Sequence, residues 1–230
     1  NGKTTTKDIV TSILETKFKV HKTQGNFNNE LGVPLTILAA PEDSDILVLE
    51  MGADNFGQLD FLSKLVKPDY TIITNIGESH IEFFGSRAGI AKAKFEITNG
   101  MKKDGFFVYN GDEPLLKELV ENSSINATSC GENSYNDIIL ENYTITRNEI
   151  DFKLNIDENN FSTTLKGKHN LFNIMFAVVI AKKIGLANEE IRHEIDNISK
   201  ITNMRLESIT YGEDSLIIND AYNASPTSMK

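Results

Sequence analysis

The sequence predicts an α/β domain: a three-layer, mostly parallel β-sheet with flanking helices and a small antiparallel β insertion. Helical and strand patterns alternate over the first two-thirds of the 230 residues, which is typical of parallel βαβ architecture. Two short apolar runs, at residues 45–51 and 70–76, have the composition of strands buried in a parallel sheet. Over residues 138–165 apolar and polar residues alternate, and Asn and Asp residues interrupt the alternating runs. This pattern indicates an antiparallel meander.

Apolar periodicity orders the elements of the first two-thirds of the chain. A helix begins near Thr4, because Ile9, Val10, Ile13 and Leu14 recur at helical spacing. The next elements are a strand at 45–51, a helix at 59–66 that Pro68 ends, a strand at 70–76, a polar loop at 77–85, a helix at 88–101 and a strand at 106–109.

The last third returns to helices after the antiparallel segment. We expect an apolar helix at 169–184, a second helix at 189–198, and strands at 206–211 and 216–219.

Composition excludes several classes of protein. A formal net charge of −10 argues against a nucleic-acid or anionic-membrane partner. The longest apolar run, residues 175–181, is too short to span a bilayer, and no secretory signal opens the sequence. Cys130, the single cysteine, cannot form an internal disulfide, which fits a reducing cytoplasm. We therefore expect a cytoplasmic protein without an integral membrane segment.

A candidate phosphate-binding motif opens the chain. Gly2 would let backbone N–H groups approach phosphate oxygens, Lys3 would reach the β- and γ-phosphates, and the hydroxyl of Thr4 would bind Mg²⁺ at a helix N-terminus. A helix start with threonine caps explains the same residues. Because the first half of such a loop would precede Asn1, we expect the sequence to be a piece of a longer protein.

Metal-capable side chains follow the two predicted strands. Glu50 ends the first, and His80 lies in the loop after the second, close to Asn75. Because the carboxyl ends of parallel strands form the ligand crevice of open α/β sheets, both side chains are candidate metal ligands. A solvated strand end and a surface histidine are the alternatives.

Four further features come later in the chain. Lys94 lies in an AKAK helix that by itself is an ordinary helical surface. Asn170 and Asn173 stand one turn apart at a helix start, suited to an adenine edge or to capping. Arg205 could meet a phosphate and Asp220 a ribose hydroxyl, although a surface ion pair explains either one.

Taken in order, these segments resemble the Mur ligase family over essentially the whole chain. The matching order is GKTTT, the strand-end Glu-Met-Gly, residues 74–80, the AKAK helix, His169-Asn170 with Asn173, and the late Arg and Asp. Residues 25–36 and 219–226 are similar to the branch of the family that adds D-alanyl-D-alanine. The resemblance implies a P-loop-type central ATP-binding domain over 1–230, without the N-terminal UDP-substrate domain and the C-terminal amine-substrate domain.

The resemblance also implies roles for individual residues. Lys3 would bind phosphate, Thr4 and Glu50 one Mg²⁺, and His80 a second Mg²⁺. Lys94 would react with CO₂ to give a carbamate beside that second metal, with Lys92 as the fallback. The nucleotide contacts would come from Gly2, Thr5, Asn75, Asn170, Asn173, Arg205 and Asp220.

The activity implied is ATP-dependent addition of D-alanyl-D-alanine to UDP-N-acetylmuramoyl-tripeptide through an acyl phosphate. The partners would be this nucleotide-sugar peptide, the dipeptide and the flanking domains of the same chain. Another Mur-family or folylpolyglutamate-type ligase, or a non-catalytic nucleotide-binding module, stays open as an alternative.

Overall fold

A computed structural model describes residues 1–198, 202, 205, 207–211 and 215–223. The helices are α1 (Lys3–Glu15), α2 (Gly32–Leu38), α3 (Gln58–Val66), α4 (Ile81–Phe84), α5 (Arg87–Phe95), α6 (Pro114–Glu121), α7 (His169–Ile184) and α8 (Asn188–Asp196), with a 3₁₀ turn at Glu96–Thr98. The strands are β1 (Val20–Lys22), β2 (Ile46–Val48), β3 (Tyr70–Ile73), β4 (Phe106–Asn110), β5 (Ala127–Gly131), β6 (Ile138–Ile145), β7 (Ile150–Leu154), β8 (Phe161–Thr163), β9 (Glu207–Tyr211) and β10 (Ser215–Asn219).

The strands form three sheets. β1 pairs in parallel with β2, and β9 pairs antiparallel with β10. The third sheet has the order β3-β4-β5-β6-β7-β8; it is parallel from β3 to β6 and antiparallel from β6 to β8. The predicted meander therefore exists, but it continues the parallel sheet through β6 rather than standing apart from it.

The largest hydrophobic core lies under helix α7, which packs chiefly on α1 and on β4 and β5. Met175 and Phe176 in α7 and Ile9 and Ile13 in α1 have no exposed surface. α7 is apolar all round, as expected for a helix between two layers. This packing fixes the N-terminus of α1 beside the N-terminus of α7. None of the described helices combines the length and apolar character that crossing a bilayer requires.

Several predicted boundaries need correction. The strand predicted at 45–51 is only Ile46–Val48, and it is half-exposed rather than buried. The helix predicted at 88–101 ends at Phe95, where a 3₁₀ turn takes over. The polar loop predicted at 77–85 contains the short helix α4. Residue 206, predicted to open a late strand, lies outside the described residues.

Four other elements escaped prediction: β1, α2, α6 and β5. β1 is three residues long with a lysine at its end, which is too short for a clear period. α6 had a detectable signal, since Glu113 caps it and Pro114 occupies its first turn.

Candidate active site

A cavity of about 1170 Å³ lies at the carboxyl ends of β2 and β3 and at the N-termini of α1 and α7. All of the predicted site residues line it: Gly2, Lys3, Thr4, Thr5, Glu50, Asn75, His80, Lys94, Asn170, Asn173, Arg205 and Asp220. The structure therefore brings together residues that are up to 218 positions apart, Gly2 and Asp220, in one crevice.

Gly2 is required at the start of α1 for two reasons. Its φ of +82° lies in the left-handed region, where side chains are strained. A Cβ at this position would also come within 2.7 Å of Asn173 Oδ1. Helix α1 thus begins with its N–H groups and the positive end of its dipole directed into the cavity, next to Lys3.

The carboxylate of Glu50 is buried and only partly paired. Its backbone N–H donates to Thr23 Oγ1 at 2.9 Å, and its Oε1 accepts from Asn28 Nδ2 at 3.0 Å. Oε2 has no hydrogen-bond partner within the described part of the chain, although Glu50 is only 7% exposed. A buried carboxylate oxygen without a partner lowers the stability of the fold unless a cation or a hydrogen-bond donor reaches it. Glu50 is therefore suited to the role of a metal ligand.

Sequence reasoning missed the two residues that hold Glu50. Asn28 lies in the segment that carried the family resemblance, but no role was attached to it. Thr23 follows the unpredicted strand β1 and carried no signal of its own.

Lys94 and Lys92 differ sharply in environment. Lys94 is half-buried and lines the cavity, whereas Lys92 is exposed and does not line it. Burial and the nearby charge of Lys3 lower the pKa of Lys94 to about 8. Ser86 caps the helix that carries both residues, accepting from Gly89 N at 3.0 Å.

His80 holds an unusual backbone conformation. It is exposed at the cavity wall and occupies the N-cap position of α4, without a side-chain capping bond, at a φ of +61°, a value that is uncommon for a non-glycine residue. Among the described residues there is no group of three or more His, Cys, Asp or Glu side chains arranged to hold a metal. A magnesium ion here would depend on phosphate oxygens for part of its coordination.

The two asparagines of α7 bond within the protein. Asn170 Nδ2 donates to Lys166 O at 2.7 Å, and Asn173 Nδ2 donates to Asn170 Oδ1 at 2.9 Å. Asn173 Oδ1 accepts from Thr6 Oγ1 at 3.1 Å. This chain of hydrogen bonds links the start of α7 to the first turn of α1.

Arg205 contacts the N-terminus of α1. Its guanidinium donates to Thr4 Oγ1 at 3.0 Å and stacks 4.2 Å from the ring centroid of Tyr222, which sequence reasoning also missed. The Nε atom is buried without a hydrogen-bond partner in the described chain. Together with Lys3 and Lys94, Arg205 makes this end of the cavity suited to an anion.

Comparisons with known proteins identify the family of the chain. Residues 1–181 match the Mur ligase middle domain. The chain is 48% identical, over its whole length, to the UDP-N-acetylmuramoyl-tripeptide--D-alanyl-D-alanine ligase of Bacillus subtilis, and 30% identical to that of Escherichia coli. It spans about half the length of these relatives, 50% and 51%.

Solved structures give the same answer. MurF from Acinetobacter baumannii superposes with a TM-score of 0.92 at 33% identity, covering 100% of this chain and 50% of that one. MurF ligase from Thermotoga maritima in complex with ADP has a TM-score of 0.88 at 31% identity, covering 99% of this chain and 53% of that one. The chain belongs to the Mur ligase family.

Proposed function

We propose that the chain is the ATP-binding middle domain of a longer ligase that adds D-alanyl-D-alanine to UDP-N-acetylmuramoyl-tripeptide, forming ADP and phosphate. The observation that carries this proposal is the convergence of Lys3, Glu50 and Lys94 on one cavity beside a helix N-terminus. The substrate assignment is supported by the named activity of the B. subtilis and E. coli relatives.

ATP is proposed to lie with its phosphates at the start of α1. The N–H groups from Gly2 to Thr5, the ammonium of Lys3 and the guanidinium of Arg205 would bind the phosphate oxygens. The T. maritima relative, which was solved with ADP, supports an adenine nucleotide as the ligand.

The rest of the nucleotide would follow the cavity away from α1. Asp220 would accept from a ribose hydroxyl, and Asn75 would contact the phosphates or their metal. Asn170 and Asn173 would lie on the adenine side. Since each amide nitrogen donates one of its two N–H groups within the protein, both side chains would also fix the start of α7.

Magnesium is proposed at two positions. Thr4 and Glu50 would hold the first ion, and the unpartnered Oε2 of Glu50 supports this choice. His80 and a carbamylated Lys94 would hold the second. Bound Mg²⁺ would neutralise charge on the transferring phosphoryl group.

Carbamylation of Lys94 would convert a cation into an anionic ligand. The neutral amine attacks CO₂, a C–N bond forms, and the nitrogen loses a proton to solvent. The half-buried position of Lys94 beside Lys3 favours the neutral amine, in agreement with its lowered pKa of about 8.

The chemistry would proceed in two steps. A substrate carboxylate attacks the γ-phosphorus of ATP, giving an acyl phosphate and ADP, while Lys3 and Arg205 compensate the negative charge. The amine of the dipeptide then attacks the acyl carbon, and the tetrahedral intermediate collapses to an amide and phosphate. The chain's contribution is to position and neutralise the phosphates.

The nucleotide-sugar peptide and the dipeptide would bind mainly on flanking domains, because this chain spans about half the length of its relatives. The complete enzyme is proposed to act in the cytoplasm.

The test is an assay of the full-length protein with UDP-N-acetylmuramoyl-tripeptide, ATP and D-alanyl-D-alanine. Phosphate release that depends on the dipeptide supports the assignment. Release that depends on glutamate with a folate substrate would transfer the protein to another branch of the family.

Paired lysine variants test the site itself. Lys94→Ala should lower kcat by roughly 100-fold or more, because the proposed anionic ligand of the second Mg²⁺ is lost. Lys92→Ala is the matched control, two residues away on the same helix and exposed, and should retain activity. Equal kinetics of the two variants would remove Lys94 from the mechanism.

A further inference from the structure

Arg205, a proposed phosphate contact, lies between α8 and β9, outside any helix or strand. An arginine side chain has several rotatable bonds, and ordering it when a ligand arrives weakens binding. A precise phosphate site therefore needs contacts that hold Arg205 against a rigid element in advance.

Helix α1 makes such contacts at two points. Arg205 Nη2 donates to Thr4 Oγ1 at 3.0 Å. Three residues earlier, Thr202 donates twice to Asp8 Oδ2, from its backbone N–H at 2.9 Å and from its hydroxyl at 2.6 Å. Thr4 and Asp8 are one turn apart on the same face of α1. The two contacts together fix where Thr202 and Arg205 lie along the helix.

Asp8 is itself held from the other side. Its Oδ1 contacts the ammonium groups of Lys22, at 2.9 Å, and of Lys7, at 3.5 Å. Asp8 is 2% exposed and Lys7 is 6% exposed, so water competes little for these contacts. The carboxylate therefore uses one oxygen for its counter-charges and the other for Thr202. An ion pair alone accounts for the first oxygen but not for the second.

The guanidinium of Arg205 is also confined from the cavity side. Its planar group stacks on the ring of Tyr222, and both residues line the candidate active-site cavity. The guanidinium is thus held between Thr4 and Tyr222 on the cavity wall, with Asp8 and Thr202 one turn farther along α1.

We propose that Asp8 and Thr202 are positioning residues of the phosphate site, which hold the guanidinium of Arg205 at the N-terminus of α1 before the nucleotide binds. Neither residue lines the cavity, so both act through Arg205 rather than on the ligand. This inference rests on the proposed function, in which Arg205 binds phosphate oxygens.

Thr202→Val in the full-length protein tests the inference, because valine keeps the shape of threonine and removes the hydroxyl. The quantity measured is the dissociation constant of the non-hydrolysable ATP analogue AMP-PNP with Mg²⁺. Thr202→Val should weaken binding about 3- to 10-fold, and Arg205→Ala about 10- to 100-fold. Thr202→Ser, which keeps the hydroxyl, should bind within about 2-fold of wild type.

A double-mutant cycle separates positioning from a general structural effect. In the Arg205→Ala background, Thr202→Val should change the dissociation constant by less than about 2-fold, since no guanidinium remains to be held. Equal factors in the two backgrounds would overturn the inference. Unchanged binding by Thr202→Val alone, or by Arg205→Ala alone, would overturn it as well.

Thr11→Val is the matched control. Thr11 lies on α1, is 1% exposed and donates its hydroxyl to Lys7 O at 2.8 Å within the same helix. Its loss should leave AMP-PNP binding within about 2-fold of wild type, since this bond holds no part of the 202–205 segment. A loss as large as that of Thr202→Val would mean that any buried hydroxyl of α1 has this effect, and would overturn the inference.

Dipeptide-dependent phosphate release by the wild-type protein is measured alongside binding. The expected coupling without phosphate release removes the proposed ligase activity and leaves the positioning role. Phosphate release together with unchanged binding by Thr202→Val leaves the proposed function and removes the positioning role.

Discussion

Asp8 shows how a single buried charge organises the helix below the candidate site. It is 2% exposed and accepts from Lys22 Nζ at 2.9 Å and from the hydroxyl and backbone N–H of Thr202. Burial alone would raise its pKa, but the hydrogen bonds from Thr202 and Lys22 and the charge of Lys7 bring the pKa below its usual value. The ionised form is therefore the one that stabilises the fold.

We expect Asp8→Asn to lower the free energy of unfolding by about 3 kcal/mol at pH 7, because Lys22 and the buried Lys7 lose their counter-charge. Asp43→Asn is the control: its pair with Lys19 is exposed on both sides, and the expected loss is below about 1 kcal/mol. Urea denaturation of the two variants checks the difference.

The pH dependence of this effect follows from the direction of the pKa shift. Stability from ionised Asp8 is fully present above the unfolded pKa of about 3.9 and is lost as the pH falls through the lower folded pKa. The difference in the free energy of unfolding between wild type and Asp8→Asn should therefore become smaller on acidification below pH ~4. A difference that grows there would contradict this account.

At the scale of elements, the junction of α1 and α7 positions the proposed phosphate-binding end of the cavity. The two helices pack closely along the core, and Asn173 joins their first turns through Thr6 and Asn170. All three side chains are buried. The geometry of the cavity therefore depends on a polar contact inside an otherwise apolar interface.

Asn173→Ala should destabilise the protein by about 1–3 kcal/mol, since it leaves Thr6 and Asn170 buried without these partners. Asn160→Ala, on an exposed loop, is the control and should change stability by less than about 0.5 kcal/mol. Nucleotide affinity should fall with Asn173→Ala as the start of α1 loses its support. Thermal unfolding and ADP titration of both variants measure these effects, and unchanged values for Asn173→Ala would contradict the role of this contact.

At the scale of the whole molecule, the described chain holds the candidate active-site cavity. Its cationic end is the proposed phosphate-binding end, and the relatives it matches are about twice as long. Domains on either side would have to bring the carboxylate and the amine to the nucleotide.

The 230-residue chain alone should therefore show no ligase turnover with both substrates and ATP, whereas the full-length protein should be active. Product formation followed by phosphate release and by mass spectrometry of the amide compares the two. Amide formation by the isolated chain would contradict the need for flanking domains.

Long periodic elements and ordered motifs were predictable from the sequence. The pattern of α7 and the antiparallel segment of β6 to β8 were identified because apolar periodicity is a local property. Many of the cavity residues were also identified, because they follow a strand or open a helix, whereas Lys94 was identified only through the order of motifs that resembles the family. Short elements such as β1 carried too few residues for a period to emerge.

By itself, then, the sequence determined the fold class, the family and the predicted site residues that line the cavity. Only the tertiary structure decided that Asn28 and Thr23 hold Glu50, that Lys94 rather than Lys92 faces the cavity, and that Asn173 bonds Thr6, 167 positions away. These facts depend on how distant segments pack, and a local pattern holds no information on which partner a side chain meets.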